Sequence, residues 1–441
     1  MSTPPISRRS VLGLASLTSL GALGLSGCGT SGPTGGATGG NAASMWALSG
    51  QPGEKIQTNS VNAFNKLGKG TLNVTFFQND AYKTKIRTAV GANQAPTLIY
   101  GWGGGILKSY ADAAQVEDLT GWLGGNADFK AKFVDATWGS ATFDKKIFAI
   151  PCNNTQPIVM YCNKKLFDAA GAQLPTTWDD VLNLVDVFNG KGVAPFSLGG
   201  QSKWTSMMWL EYLLDRIGGP TVFDAIFANK ADAWSNDAVI QTCQKVQELV
   251  KAKGFIKGFS SIAADSNADQ ALLYTGKAAM MLHGGWAYGG MQSAQPDFVK
   301  SQLAFSGFPS VAGGKGDPKN VVGNPANYWS ISAKATDAEK TVAKAYLTDG
   351  LFTGADIDAY IASGGVPVVK AAQPKLAGSA DAAFLEFIYQ AITEAPGFAQ
   401  SWDQALSPVQ ADTLLTSIDQ LFLLQITPEQ FATKMNTTLG K

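Results

Sequence analysis

The sequence predicts an α/β protein of two domains, and three observations carry that expectation. At 441 residues the chain is longer than one compact core organises. Short apolar runs alternate with longer helical patterns, the mark of a parallel sheet covered by helices. In the stretch Tyr274 to Gly290, an apolar run from Lys277 to Leu282 leads into Gly284, Gly285 and Trp286. The two glycines let the backbone turn into a helix start. That sets Trp286 at the carboxyl end of a strand, where ligands lie in open α/β sheets.

Composition narrows the function. Hydrophobic residues make up 45% of the chain and charged residues 15%, which describes a soluble globular protein with ample core material. Lys plus Arg and Asp plus Glu both total 34, so the formal net charge is zero. With no basic run, a nucleic-acid partner is not expected. The single histidine, His283, rules out multi-histidine metal sites and leaves a Ser-His-Asp triad only that residue. The stretch Gly200 to Trp204 lacks the closing glycine of a nucleophile elbow. Asp265, Asn267 and Asp269 imitate the start of a calcium loop, but Gln270 occupies the obligatory glycine position, so they read as helix-start caps. Gly68 to Thr71 and Gly313 to Gly316 lack phosphate-loop spacing. No metal and no cofactor is expected.

At the start of the chain, Arg8 and Arg9 precede an uncharged apolar run from Val11 to Leu25. The run is shorter than the roughly 20 residues that span a bilayer, and its basic flank marks residues 1–27 as a signal peptide. The paired arginines point to twin-arginine export; Val11, standing where Phe is commonest, leaves the Sec route open. Leu25-Ser-Gly-Cys28 resembles the lipobox of bacterial lipoproteins, which implies lipidation at Cys28. Residues 28–43 then read as a lipidated Cys and a flexible tether rich in Gly, Ser and Thr. A soluble body anchored to the outer face of the cytoplasmic membrane follows as the expected localisation.

Met45–Leu48, Leu72–Phe77 and Thr97–Tyr100 read as strands separated by helices near Glu54–Asn65 and Tyr82–Ala92. Phe148–Pro151 and Ile158–Lys164 read as extended segments joined by the polar loop Cys152 to Pro157. A second α/β set follows, with helices at Trp178–Asn189, Thr205–Ile217 and Asn236–Lys253, a strand at Ala194–Leu198, and the Trp286 stretch. Of the remaining cysteines, Cys152 and Cys162 are placed to pair or to stay free, and Cys243 reads as a small core hydrophobe; the sequence leaves the pairing open.

Several of the 11 tryptophans sit in Gly-, Asn- or Gln-rich loops and not in apolar stripes: Trp102, Trp204, Trp286, Trp329 and Trp402. Neighbouring glycines leave an indole face open, and a sugar ring needs a flat aromatic below and amide or carboxylate groups around its hydroxyl rim. Asn79, Asp80, Asn154, Gln156, Asn327 and Asp403 are rim residues of the right type in the same loops. Taken singly, such residues are more often turn or cap residues. A neutral ligand and a balanced charge imply an affinity insensitive to salt.

The segment Gly276-Lys-Ala-Ala-Met280 to Trp286 resembles the "GKAAM...G.W" segment of the family 1 extracellular solute-binding proteins, the maltose-binding-protein-like receptors of sugar ABC importers. The similarity runs in matching order from about Ser44 to the C-terminus. It implies an α/β, two-domain periplasmic-binding-protein-like fold with hinge crossings and a ligand cleft between domains. On that pattern residues 44–153 plus 312–366 form the N-terminal α/β domain and 154–311 plus 367–441 the C-terminal one, with crossings at Cys152–Pro157 and Pro309–Gly314. It places Trp102, Asn154, Trp286 and Trp402 at sugar contacts, with Gln51, Asp80, Gln156 and Trp204 as further carry-overs. Thr97 stands where many relatives have Asp. The resemblance implies a monomeric receptor without catalysis that captures a neutral sugar, xylo-oligosaccharide or another short β-linked sugar first among them, and passes it to a membrane permease. The rival reading is an exported glycosidase, which needs two opposed carboxylates about 5 to 9.5 Å apart. Asp80 and Asp403 are the pair it would use.

Overall fold

The structure, a computed structural model, describes residues 41–441, which fall within one compact unit. Two sheets organise it. The first has five strands in the order Thr71–Phe77, Ala42–Leu48, Leu98–Gly101, Asn327–Ile331, Ile150–Cys152. The first three run parallel, joined by the helices Gly53–Asn65 and Asn79–Gly91; Asn327–Ile331 is antiparallel to both its neighbours. The interior strand Ala42–Leu48, paired on both sides, is buried over its five middle residues, which is why it reads as an apolar run.

In the second sheet the order is Phe398–Gln400, Val321–Asn324, Gln156–Asn163, Ala278–Gly284, Ala194–Ser197, and Leu303–Ser306 also pairs with Gln156–Asn163. Ala278–Gly284 is buried at every position and is flanked on both sides. Its small and flexible Ala, Met and Leu side chains fit between the helices on either face. Two apolar cores pack on these sheets, and the first also takes in Val159, Tyr161 and Met281 from the second sheet. Trp46, Phe64, Tyr82 and Trp329 belong to the first; Trp178, Trp209, Trp234 and Trp402 belong to the second. Helix entries are fixed by capping boxes at Thr177 with Asp180, Thr336 with Glu339, and Ser407 with Gln410.

Residues 153–155 carry the chain from the first sheet to the second, inside the expected Cys152–Pro157 loop. The return differs from expectation. After Leu303–Ser306 the chain remains with the second sheet through Val321–Asn324 and crosses at Pro325 and Ala326, not at Pro309–Gly314. The buried Arg216 guanidinium holds the intervening loop, donating to the carbonyls of Asp317, Pro318 and Asn320 at 3.2, 2.9 and 3.1 Å. Beyond the helix Gly354–Ala362, Val366 to Val368 runs beside the first crossing: Thr155 N–H donates to Val366 O and Val368 N–H to Asn153 O. The helix Ala382–Thr393 then stacks Phe384 on Tyr288, ring centroids 3.9 Å apart.

Cys152 and Cys162 are unpaired and buried in different sheets, and Cys243 is likewise free. The proposed signal peptide, lipobox and most of the tether lie outside the described residues. Among the described residues no helix is long and apolar enough to cross a membrane.

Candidate ligand cleft

A cavity of about 280 Å³ opens between the elements of the two sheets. Its aromatic floor comes from three loops. Trp286 begins the helix Trp286–Ala294 directly after the buried strand Ala278–Gly284 and keeps 36% of its surface exposed. Trp204 begins the helix Trp204–Gly218 and lies 6.0 Å from Trp286, ring centroid to centroid. Trp102 follows the strand Leu98–Gly101, stands edge-on to Tyr100 at 5.4 Å, and carries the Lys83 ammonium 5.0 Å from its ring.

Glycines shape this floor in ways the sequence reading did not foresee. A Cβ on Gly284 would lie 1.8 Å from the Trp286 ring, so this glycine makes room for the indole to fold back on its own strand. At Gly104 and Gly105, Cβ atoms would meet the carbonyl oxygens of Gln404 and Leu406, each at 2.4 Å. The glycines beside Trp102 therefore admit the 402–406 backbone; they do not serve to uncover the indole.

Of the expected rim residues, Gln51, Asn79, Asn154, Gln156 and Asp403 line the cavity with Trp102, Trp204 and Trp286. Asp80 stands behind it: its Oδ1 accepts from Trp204 Nε1 at 3.0 Å and from Asn79 Nδ2 at 2.9 Å. Two expected contacts point elsewhere. Trp402 is 3% exposed, stacked on Phe223 at 5.0 Å and edge-on to Trp234 at 5.9 Å, because its indole completes the second core. Its neighbours Asp403 and Gln404 face the cavity instead. Asn327 is wholly buried in its strand and does not line the cavity.

Sequence reasoning missed Lys83, Asp265, Gln270, Asn324 and Gln404, all of which line the cavity. Asn267 stands at the N-cap of the helix Ala268–Tyr274 without a side-chain cap bond, Asp269 is the acidic residue of its first turn, and Asp265 is turned away from the helix, its Oδ2 accepting from the Asp80 N–H at 2.9 Å. Burial raises the Asp265 carboxyl above its ordinary value, against the hydrogen bond from Asp80. Lys83 Nζ donates to Asp403 Oδ2 at 2.8 Å. Behind that pair, Glu211 is pushed up to about 8, chiefly by burial. Its Oε1 accepts from the Trp402 N–H at 2.7 Å. His283 is buried with Nε2 3.4 Å from Asp269 Oδ2 and stands edge-on to both Trp204 and Trp286. Among the described residues no group of three or more His, Cys, Asp or Glu side chains is placed to hold a metal.

An aromatic-floored, polar-rimmed cleft between two α/β domains is a receptor geometry. The family described as bacterial extracellular solute-binding protein matches residues 47–348. The chain belongs to this family. As a member, it is similar to a structure from work on xylan utilization by the thermophilic bacterium Caldanaerobius polysaccharolyticus, at TM-score 0.81 and 29% identity over 90% of this chain and 100% of that one. A chitin oligosaccharide binding protein aligns at TM-score 0.81 and 24% identity, covering 90% and 98%, and shows the same two-domain fold. A probable sugar-binding periplasmic protein of Mesorhizobium japonicum is 28% identical over 49% of this chain and 50% of its own length. The diacetylchitobiose binding protein NgcE of Streptomyces coelicolor is 30% identical over 38% of this chain and 35% of its own. The chain thus spans about half the length, or less, of the curated relatives it matches.

Proposed function

We propose that this solute-binding protein is the receptor of a sugar ABC importer, capturing a neutral sugar or oligosaccharide and delivering it to permease subunits in the membrane. The observation that carries the reading is the floor of Trp102, Trp204 and Trp286 set among amide and carboxylate groups in one cavity. Indole faces suit the C–H face of a sugar ring, and the polar rim suits its hydroxyls. Xylo-oligosaccharide or another short β-linked sugar is the first candidate, supported by the 29% identical neighbour from xylan work. The receptor is a monomer that closes about its crossings on ligand. Export by residues 1–27 and lipidation at Cys28 anchor it to the outer face of the cytoplasmic membrane, and Cys28→Ser releases it into the medium with sugar affinity intact.

Catalysis is not part of this reading. Of the two carboxylates a glycosidase would use, Asp80 Oδ1 is engaged by Trp204 and Asp403 Oδ2 by Lys83 and Gln404. A thermal-shift screen against a sugar panel tests the proposal, because a ligand at 100 times its Kd adds about 2.7 kcal/mol of stability. A panel without any shift, or turnover of labelled oligosaccharides in place of stoichiometric binding, would refute it.

A further inference from the structure

We infer that Gly105 is a positioning residue for ligand capture: lacking a side chain, it lets the helix Gly104–Asp112 of the first domain seat on the 404–406 main chain of the second, which brings Trp102 and the Asp403–Gln404 segment onto one ligand. This rests on the sugar-receptor reading and gives its closed state a specific contact.

The two sides of this seam belong to different cores. Leu107 of the helix packs in the first, while Trp402 and Leu406 pack in the second. A Cβ on Gly105 would fall within 3.0 Å of Leu406 O, Ala405 O and Leu406 C, so its three nearest neighbours are all main-chain atoms of the other domain. Main chain cannot swing aside as the tip of a flexible side chain can. Gly104 differs, because its φ of +65° calls for glycine whatever it faces. Gly105 has no left-handed φ, and a glycine in the first turn of a helix forfeits helix propensity. The seam accounts for it.

The seam borders the cavity on both sides. Trp102 stands just before the helix, Asp403 and Gln404 open the facing segment, and all three line the cavity. Gln400 Nε2 also crosses, donating to Trp102 O at 2.7 Å. The carbonyls of residues 404–406 meet the first turn of the helix, the positive end of its dipole, so the contact is favourable through main chain and can part when the ligand leaves. A ligand held by Trp102 on one side and by Asp403 or Gln404 on the other draws the two main chains to this spacing. Any side chain at position 105 stands in the way.

Titration calorimetry and small-angle scattering on the intact protein test this with xylotriose, cellotriose and maltotriose. Gly105→Ala is expected to bind the tightest of the three at least ten-fold more weakly than the wild type and to lose the ligand-induced fall in radius of gyration. Its melting temperature without ligand is expected to stay the same or rise, since alanine favours the helix. Gly121→Ala, in the helix Thr120–Gly124 where a Cβ meets nothing within 4 Å, is expected to keep wild-type affinity and compaction. Wild-type affinity in Gly105→Ala overturns the inference and leaves the receptor standing. A lower melting temperature without ligand overturns it too, because the seam is then a permanent joint. If the wild type binds none of the three, the receptor reading falls and the inference with it.

Discussion

Trp204 of the second domain donates from its indole Nε1 to Oδ1 of Asp80 in the first, at 3.0 Å. The helix that begins at Asn79 makes further bonds across the cleft. The Asp80 N–H reaches Asp265, Lys83 pairs with Asp403, and Arg87 makes two hydrogen bonds to Asp412, each at 2.9 Å. One element of the first domain is therefore tied to three segments of the second by groups of the protein alone.

Those ion pairs alter the expectation that salt leaves affinity unchanged. Closure brings opposite charges together even when the ligand has none, and salt screens such pairs. Raising salt from about 0.01 to 1 M, over which the Debye length falls from about 30 to 3 Å, is expected to weaken sugar binding by a few-fold. Arg87→Ala should remove part of that dependence at a cost of at most about 1 kcal/mol, since its pair is exposed. Identical salt slopes for the wild type and Arg87→Ala would show that the pair does not contribute to closure.

Trp286 and Trp402, alike in sequence as tryptophans in polar loops, should separate on mutation. Trp286→Ala is expected to weaken sugar binding by about 2 kcal/mol or more with little change in a denaturant melt. Trp402→Ala is expected to lose about 3–5 kcal/mol of stability, because its ring is stacked on Phe223 inside the second core. Titrations and melts on the same two variants decide between platform and core for each.

This contrast marks how far the sequence could be read. Apolar runs and caps are local signals, so most strands and helices were legible, as was the crossing at Asn153. Whether an indole faces solvent or core depends on what arrives from elsewhere, and Phe223 lies far from Trp402 in sequence. Asp265 and Gln270 were hidden for the same reason: they sit in a stretch that reads locally as a failed calcium loop and a helix start, and only the approach of the Asp80 helix and of Gly290 in the helix Trp286–Ala294 brings them to the cavity. The return crossing was misplaced because Arg216, distant in the chain, holds the 308–320 loop to the second domain.

Gly284→Ala tests whether the strand end shapes the platform. The added methyl would lie 1.8 Å from the Trp286 ring, inside any tolerated contact, so the indole must swing away. Sugar affinity is expected to fall about as far as in Trp286→Ala, roughly 2 kcal/mol, with the protein still folded by circular dichroism. Retained affinity would mean that the indole position is not what the ligand reads.

The last prediction concerns Glu211, behind the Lys83–Asp403 pair. Burial raises its carboxyl from an ordinary 4.5 to about 8; the Asp403 charge adds to the rise, while the Trp402 N–H and Lys83 oppose it. In the unfolded chain the group titrates near its ordinary value, so between about pH 4.5 and 8 the folded state holds a proton that the unfolded state has released. The contribution is whole below pH 4.5 and is lost as pH climbs through 8, on the order of a few kcal/mol in all. Glu211→Gln keeps an oxygen for the Trp402 N–H and removes the titration. Its urea-melt stability is therefore expected to be flatter than that of the wild type from pH 5 to 8, with the gap in its favour widening as pH rises. Parallel pH profiles for the two proteins would show that Glu211 is ionised in the folded state across this range and that Lys83 outweighs its burial.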